Sequence, residues 1–302
     1  MHFSLRSHCT GGGAHKFAKT FKLKAGLVLH PVDEMATLVR GMAFLLEHYP
    51  AEAYSFTGPV GRARSVSSFD LETPRPTCGQ QYPYLVVNVG SGVSFLLVES
   101  RTSWRRVSGT SVGGGTFYGL CHMLTGLTSF DEMLQQAEHG ENSAVDLLVG
   151  DIYGGDYSAV GLKSSTIASS FGGVMHKVRS GLAALAQPTP AADTPGAGPA
   201  LPVTVPPADV CRALLIMLSN NIGQLAYLCA TQYGCSSVVF AGSFLRHQNT
   251  LALRRLAFAI DFWSSGHMHA LFLRHEGYFG ALGALLLALS RKAVHGSEAA
   301  VE

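Results

Sequence analysis

An α/β fold is predicted from three features of the sequence. Apolar runs that read as buried strands, Leu85 to Val89 and Val238 to Ala241, each stop at a glycine turn. Long stretches around them carry apolar residues at helical spacing, as in Met35, Leu38, Val39, Met42, Leu45 and Leu46. The chain has 302 residues, 47% of them hydrophobic and only 14% charged, enough to bury the core of one large domain or two lobes. Such a composition excludes a disordered chain.

Net charge is +2, and no basic stripe interleaved with aromatic residues stands out, so nucleic acid is not expected as the main partner. The six cysteines, Cys9, Cys78, Cys121, Cys211, Cys229 and Cys235, show no Cys-x-x-Cys and no zinc-ligand spacing. They read as reduced core thiols of a cytosolic-type compartment. No signal peptide opens the chain, and the apolar stretch Tyr278 to Leu289 is too short to span a bilayer, so no membrane span is expected.

Taken in order, Thr10-Gly-Gly-Gly-Ala-His-Lys16 looks like a ligand turn, with a loose N-terminal loop as the alternative, since almost no strand precedes it. A short strand is expected at Leu27 to Leu29. Pro31 and Asp33 then start a helix that reaches Tyr49. Glu34 sits in its first turn. The spacing alone favours an acid that complements the helix dipole over a general base. Residues 50 to 82 read as a weakly structured connection with one strand near Ala63 to Phe69.

Two glycine clusters follow, Asn88-Val-Gly-Ser-Gly-Val-Ser94 at a hairpin tip and Gly109-Thr-Ser-Val-Gly-Gly-Gly-Thr116. Either cluster alone is equally a plain turn. Two within a short span, with arginines between them, favour a backbone nest for phosphate. Ser91, Ser94, Thr110 and Thr116 add hydroxyls, and Arg105-Arg106 suits a small anion. The second cluster opens a helix from Phe117 to Leu127, whose N-terminus is a natural anion site.

Ser129 with Glu132 marks another helix start within Thr128 to Gly150. Asp151 and Asp156 flank Gly-Gly; a loop cap is favoured over a metal site, because two ligands without a third are poor. Residues 181–207 form a Pro/Ala-rich insertion expected to be disordered. A long apolar helix from Asp209 to Thr231 carries Asn220 and Asn221, which need partners if buried. Strand Val238 to Ala241 enters the turn at Gly242. Then come a helix from Leu251 to Phe262, a short strand at Leu271 to Phe272, and a last helix from Ala281 to Leu289 with a frayed tail after Lys292.

The motifs Asn-Val-Gly-Ser-Gly-Val-Ser, Gly-Thr-Ser-Val-Gly-Gly-Gly-Thr-Phe, Asp-Ile-Tyr-Gly-Gly-Asp-Tyr, Ala-Ser-Ser-Phe-Gly, Ser-Asn-Asn-Ile-Gly, Phe-Leu-Arg, Ala-Phe-Ala-Ile-Asp-Phe-Trp and His-Glu-Gly-Tyr-Phe-Gly resemble those of the eukaryotic-type (type II) pantothenate kinases. The resemblance implies an actin-like ATPase fold of two α/β lobes and transfer of the γ-phosphate of ATP, with Mg²⁺, to pantothenate. It further implies a cytoplasmic homodimer inhibited by acetyl-CoA or another acyl-CoA.

By the same resemblance Glu34 matches the catalytic base, and Arg106 balances charge near the transfer site. Ser91, Ser94 and Arg106 match positions that hold pantothenate or acyl-CoA. Tyr153, Ala168 and Trp263 match substrate-pocket positions near the dimer interface. Gly90, Gly92, Gly113, Gly114, Gly115, Gly242 and Ser243 match the ATP side, although the usual Gly-Asn-Phe is Gly-Ser-Phe here. The implied division is 1–82 as the remnant of an N-terminal lobe, 83–292 as the nucleotide, substrate and dimerisation lobe, and 293–302 as a tail. The family's first phosphate loop, Asp-Ile-Gly-Gly-Thr-x-x-Lys, has no counterpart here. Two expectations stay open: a truncated kinase, or a non-catalytic relative that binds acyl-CoA or partner proteins.

Overall fold

The computed structural model describes residues 6–49, 51–58, 71–74, 82–175, 205–245 and 249–298. The strand expected near Ala63 to Phe69 and nearly all of the 181–207 insertion lie outside these residues.

In chain order the elements are β1 (Arg6–Cys9), α1 (Gly12–Ala25), β2 (Val28–Pro31), α2 (Glu34–His48), β3 (Ala53–Thr57), β4 (Leu71–Pro74), β5 (Tyr84–Val89), β6 (Val93–Val98) and β7 (Trp104–Thr110). They continue with α3 (Gly114–Thr125), α4 (Phe130–His139), β8 (Leu147–Leu148), α5 (Val149–Tyr153), β9 (Ile167–Ser169), α6 (Pro207–Gln232), β10 (Ser237–Ala241), α7 (Thr250–Trp263), β11 (His269–Leu273) and α8 (Phe279–Glu298). The described chain divides into two compact units. The first comprises residues 1–111, 222–247 and 253–302, and the second 112–221 and 248–252.

The first unit is built on a sheet of order β4-β3-β11-β10-β5-β6-β7. Strands β5, β6 and β7 form an antiparallel meander; β10 runs parallel to β5, and β11 parallel to β10. Period-two alternation sends Tyr84, Val86, Leu96, Val98, Val239, Ala241, Leu271 and Leu273 to one face, where they pack with Val39, Met42, Leu45 and Leu46 of α2 and Phe279 of α8. The other face is buried as well, with Leu85, Val87, Phe95, Phe240 and Phe272. Burial on both faces explains why β5 and β10 read as continuous apolar runs.

Helix α2 starts where expected: Asp33 Oδ1 accepts from the Ala36 N–H at 2.7 Å. It lies backbone to backbone against α8. A Cβ on Gly41 would sit 2.8 Å from the carbonyl carbon of Phe279, and one on Gly283 2.6 Å from that of Thr37. Gly41 and Gly283 thus let the two helix backbones approach closely.

Three expectations are corrected. Thr10-Gly-Gly-Gly does follow a strand: β1 pairs in parallel with β2, and α1 crosses between them. Residues 50 to 82 contain β3 and β4, which extend the sheet beyond β11. Tyr54 and Phe56 of β3 pack on Phe272 at ring-centroid separations of 5.8 and 6.0 Å, so tertiary aromatic contacts hold a strand whose own sequence is short and mixed. Finally, α8 continues past Lys292 to Glu298.

The second unit contains α3, α4, α5, the β8–β9 pair and the first part of α6. Phe117 and Cys121 of α3, Met133 and Ala137 of α4, and Cys211, Leu214, Leu215 and Leu218 of α6 are buried. Ser129 caps α4 by accepting from the Glu132 N–H at 3.4 Å. At the other end Arg212 Nη1 donates to the carbonyls of Ala137 and Glu138, complementing the negative end of the helix. Buried Asp146 accepts from Asn142 Nδ2 and from the Phe171 N–H. By length and composition α6 is able to cross a membrane, and more than half of its most apolar window is buried in protein. Asn221 on α6 is exposed, and it donates to the Met217 carbonyl at 2.7 Å.

Candidate functional site

The first unit carries an open cleft of about 490 Å³ at the carboxyl end of β5. Its lining joins the hairpin tip Gly90-Ser91-Gly92 with Asn88, Ser94, Arg106, Gly109 and the first residues of α2, Glu34 and Met35. The location follows from the core. Because α2 packs its apolar stripe along the sheet, its N-terminal turn is left at the strand ends, where open α/β sheets bind ligands. Asn88 Nδ2 approaches Met35 Sδ at 3.9 Å.

Arg106 reaches the cleft through a bulge. The β6–β7 register shifts between Phe95 and Leu96, so Leu96 pairs with Arg106 while Ser94 pairs with Gly109. Arg106 Nε then donates to Ser94 Oγ at 3.3 Å. A Cβ on Gly109 would overlap the guanidinium, lying 2.8 Å from its Cζ, so the glycine leaves the space that Arg106 fills. The arginine pair is thereby split. Arg105 points elsewhere, with Nε 3.8 Å from Glu99 and its guanidinium over the Tyr233 ring.

Glu34 is the one carboxylate lining the cleft. It is exposed, and among the described residues its carboxylate has no hydrogen-bond partner or counter-ion, which suits a proton acceptor. Its helix turn is fixed from below. Buried Thr37 shares a 2.8 Å hydrogen bond with Thr10, and its hydroxyl also lies 2.9 Å from the Glu34 carbonyl. The Glu34 carboxylate lies beside the glycine turn, 3.8 Å from where a Gly11 Cβ would stand.

The donor set is hydroxyls and a guanidinium, with one carboxylate in the same lining. It fits a polar anion that presents a hydroxyl to Glu34. Mg²⁺ in phosphoryl-transfer sites is held largely by substrate phosphates and water, with one or two carboxylates. Among the described residues no group of three His, Cys, Asp or Glu side chains is arranged for a metal ion.

Of the residues named from sequence, the cleft brings together Glu34, Asn88, Gly90, Ser91, Gly92, Ser94, Arg106, Gly109 and Thr110. The others do not line it. Gly113, Gly114 and Gly115 start α3 in the second unit, where the Gly113 N–H donates to Thr116 Oγ1 at 3.3 Å. Tyr153 stacks on Tyr157 in that unit, and Ala168 lies on β9. Asp151 and Asp156 act as loop caps, accepting from the N–H groups of Leu148 and Ser164. The Ser164 hydrogen bonds hold the Asp156 carboxyl below its ordinary range. In the first unit Trp263 ends α7 and stacks on Tyr227. Gly242 and Ser243 form the turn after β10, where Gly242 has φ +113° and presses on Val89.

Sequence reasoning missed Glu276. Its Oε1 accepts from the Gly242 N–H at 3.0 Å and the Gly277 N–H at 3.1 Å, which ties the Gly242 turn to the loop that follows β11. A carboxylate before glycine was visible, but its partner 34 residues away was not. Asn88 had a signal that went unused, a polar residue inside an apolar strand run.

A glycine hairpin, a guanidinium and a carboxylate thus gather at the strand ends of an α/β unit. The chain belongs to the Fumble family, whose model matches residues 3–287. It is 44% identical to pantothenate kinase 1 of Arabidopsis thaliana over 284 residues, covering 94% of this chain and 66% of that protein. It is 44% identical to pantothenate kinase 2 of the same plant over 278 residues, covering 92% of this chain and 27% of that protein. Pantothenate kinase of Schizosaccharomyces pombe is 39% identical over 279 residues, with 92% and 62% covered. The chain thus spans less than two thirds of the length of these relatives. Among solved structures it matches a glucokinase from Balamuthia mandrillaris at 12% identity and a TM-score of 0.39, over 87% of this chain and 66% of that one.

Proposed function

We propose that this chain acts in a pantothenate kinase, transferring the γ-phosphoryl group of ATP to the hydroxyl of pantothenate to give 4'-phosphopantothenate, the first step of coenzyme A synthesis. The observation that supports this most is the meeting of Glu34 with Ser91, Ser94 and Arg106 in one cleft. Pantothenate offers a carboxylate for the guanidinium and serine hydroxyls and a primary hydroxyl for Glu34. As the hydroxyl oxygen bonds to the γ-phosphorus, its proton passes to the Glu34 carboxylate, and the bond to the bridging oxygen breaks to release ADP. Arg106 offsets the negative charge gathered there.

On the nucleotide side the reading assigns Gly90, Gly92, Gly113, Gly114, Gly115, Gly242 and Ser243. Mg²⁺, when bound, would neutralise phosphate charge. Acetyl-CoA or another acyl-CoA competes for the same cleft. The reading also assigns a cytoplasmic homodimer with Tyr153, Ala168 and Trp263 near its interface. The exposed apolar residues Leu228, Phe262 and Trp263 suit such a contact.

Conversion of labelled pantothenate to its phosphate tests this reading, with Glu34→Gln abolishing turnover. Calorimetry separates the alternative: acetyl-CoA binding without Mg-ATP binding and without turnover indicates a non-catalytic relative. Sedimentation gives the oligomeric state.

A further inference from the structure

Glu52 is a carboxylate buried just before β3, and the cleft chemistry does not use it. Its Oε1 accepts from the His275 N–H at 3.0 Å, and its Oε2 accepts from His275 Nδ1. The main chain joins in. The Arg274 N–H donates to the Glu52 carbonyl at 3.1 Å, and Arg274 Nε donates to the Ala51 carbonyl at 3.1 Å. The loop after β11 is thus tied to the start of β3 through both side chains and backbone. A buried carboxylate held in this way roughly breaks even against an apolar replacement, so stability alone does not account for it.

Strand directions put these contacts in a row. β3 is antiparallel to β11, so its start lies beside the end of β11; β10 runs parallel to β11, and β5 to β10. From Glu52 the row passes to His275 and on to its neighbour Glu276, whose Oε1 accepts from the Gly242 N–H at 3.0 Å. Gly242 packs on the backbone of Val89, the residue that leads into the hairpin tip Gly90-Ser91-Gly92 of the cleft. All of these residues belong to the first unit. Glycine by itself leaves a turn free to move, and the Glu276 bond removes that freedom.

We propose that Glu52 and His275 are positioning residues for the phosphate donor: they hold the loop from which Glu276 fixes the Gly242-Ser243 turn beside the hairpin tip. The proposal rests on the reading of the cleft as a kinase site. The groups assigned to the acceptor, Ser94 and Arg106, come from β6 and β7 on one side of β5. β10 borders β5 on the other side, so its turn is left to the nucleotide. Glu52 and His275 touch no ligand themselves; they act through Glu276, as a supporting shell acts on the groups that bind.

The test is calorimetry of Mg-ATP and of pantothenate on the wild type and on variants checked for folding by circular dichroism, well below their unfolding temperatures. Glu52→Ala should weaken Mg-ATP binding about tenfold and leave pantothenate binding within about twofold. Glu52→Gln, which keeps an acceptor for the His275 N–H, should recover most of the loss. Glu276→Ala should weaken Mg-ATP about as much, and Glu52→Ala with Glu276→Ala little more, because both act on one row of contacts. His275→Ala alters a side chain that is 57% exposed, so its fold should stand even where that of Glu52→Ala does not. It should weaken Mg-ATP several-fold and leave pantothenate unchanged. A merely structural role predicts lower unfolding midpoints with both affinities intact. That result in the folded variants, or equal weakening of both ligands, would overturn the proposal. A wild type that binds no Mg-ATP would contradict the kinase reading and this inference together. A wild type that binds both ligands, with variants that bind Mg-ATP as tightly, would overturn this inference alone.

Discussion

Gly242→Ala tests how the floor of the cleft is held. The glycine has φ +113°, a region L-residues rarely adopt, and an added Cβ would overlap the Val89 carbonyl oxygen and lie 2.6 Å from its carbon and nitrogen. Val89 has little room to yield. It is fully buried and closes the β5–β6 hairpin, and its neighbour Asn88 is paired with β10. Backbone strain of about 1–3 kcal/mol and overpacking of about 1–3 kcal/mol add to a loss of about 2–6 kcal/mol. That is a large part of the roughly 5–15 kcal/mol that holds an ordinary domain. Both tryptophans, Trp104 and Trp263, lie in the first unit, so fluorescence during urea unfolding reads the unit that contains Gly242. Gly13→Ala is the control: it lies in α1, and its Cβ would meet only the Phe17 ring at ordinary contact distance. It should change stability by less than about 1 kcal/mol. A Gly242→Ala midpoint equal to wild type would refute the reasoning.

Glu276→Ala should lower the stability read by the same unfolding by about 1–3 kcal/mol by leaving the Gly242 N–H unpaired, and Glu276→Gln, which keeps an acceptor, should recover most of it. Gly109→Ala should displace the Arg106 guanidinium and lower kcat/KM for pantothenate by about 10–100-fold, with little added effect in an Arg106→Ala background, because both changes act on one contact. Burial pushes the Cys235 thiol up to about 11 from 9.0. A raised folded value gives stability that is fully present below pH 9 and lost as pH rises through about 11. Cys235→Ala should therefore flatten the alkaline fall in stability across that window, as followed by unfolding at fixed pH.

Much of this was legible because local and tertiary demands coincide. Val86, Val239 and Leu271 sit in runs apolar enough to mark central strands, and Asp33 announced α2 by its cap. Strand β3 was hidden because Tyr54 and Phe56 owe their place to Phe272, more than 200 residues away. β1 was hidden by its brevity, since Arg-Ser-His-Cys has no strand pattern of its own. In the cleft the sequence marked Ser91, Ser94 and the glycines. Resemblance singled out Arg106, but the residues alone gave no reason to prefer it to Arg105, because the bulge that splits them is a property of pairing with β6. The base role of Glu34 rested on family resemblance, and its spacing favoured the bland reading. What the fold adds is its position beside Ser91, Ser94 and Arg106.

The most direct measurement is the rate of pantothenate phosphorylation by this chain and by Glu34→Gln, with pantothenate binding followed by calorimetry on both. The account predicts turnover in the wild type, a fall of about 10²–10⁴-fold in kcat for the variant, and pantothenate affinity little changed. A variant as fast as wild type, or a wild-type chain that does not bind pantothenate, would contradict it.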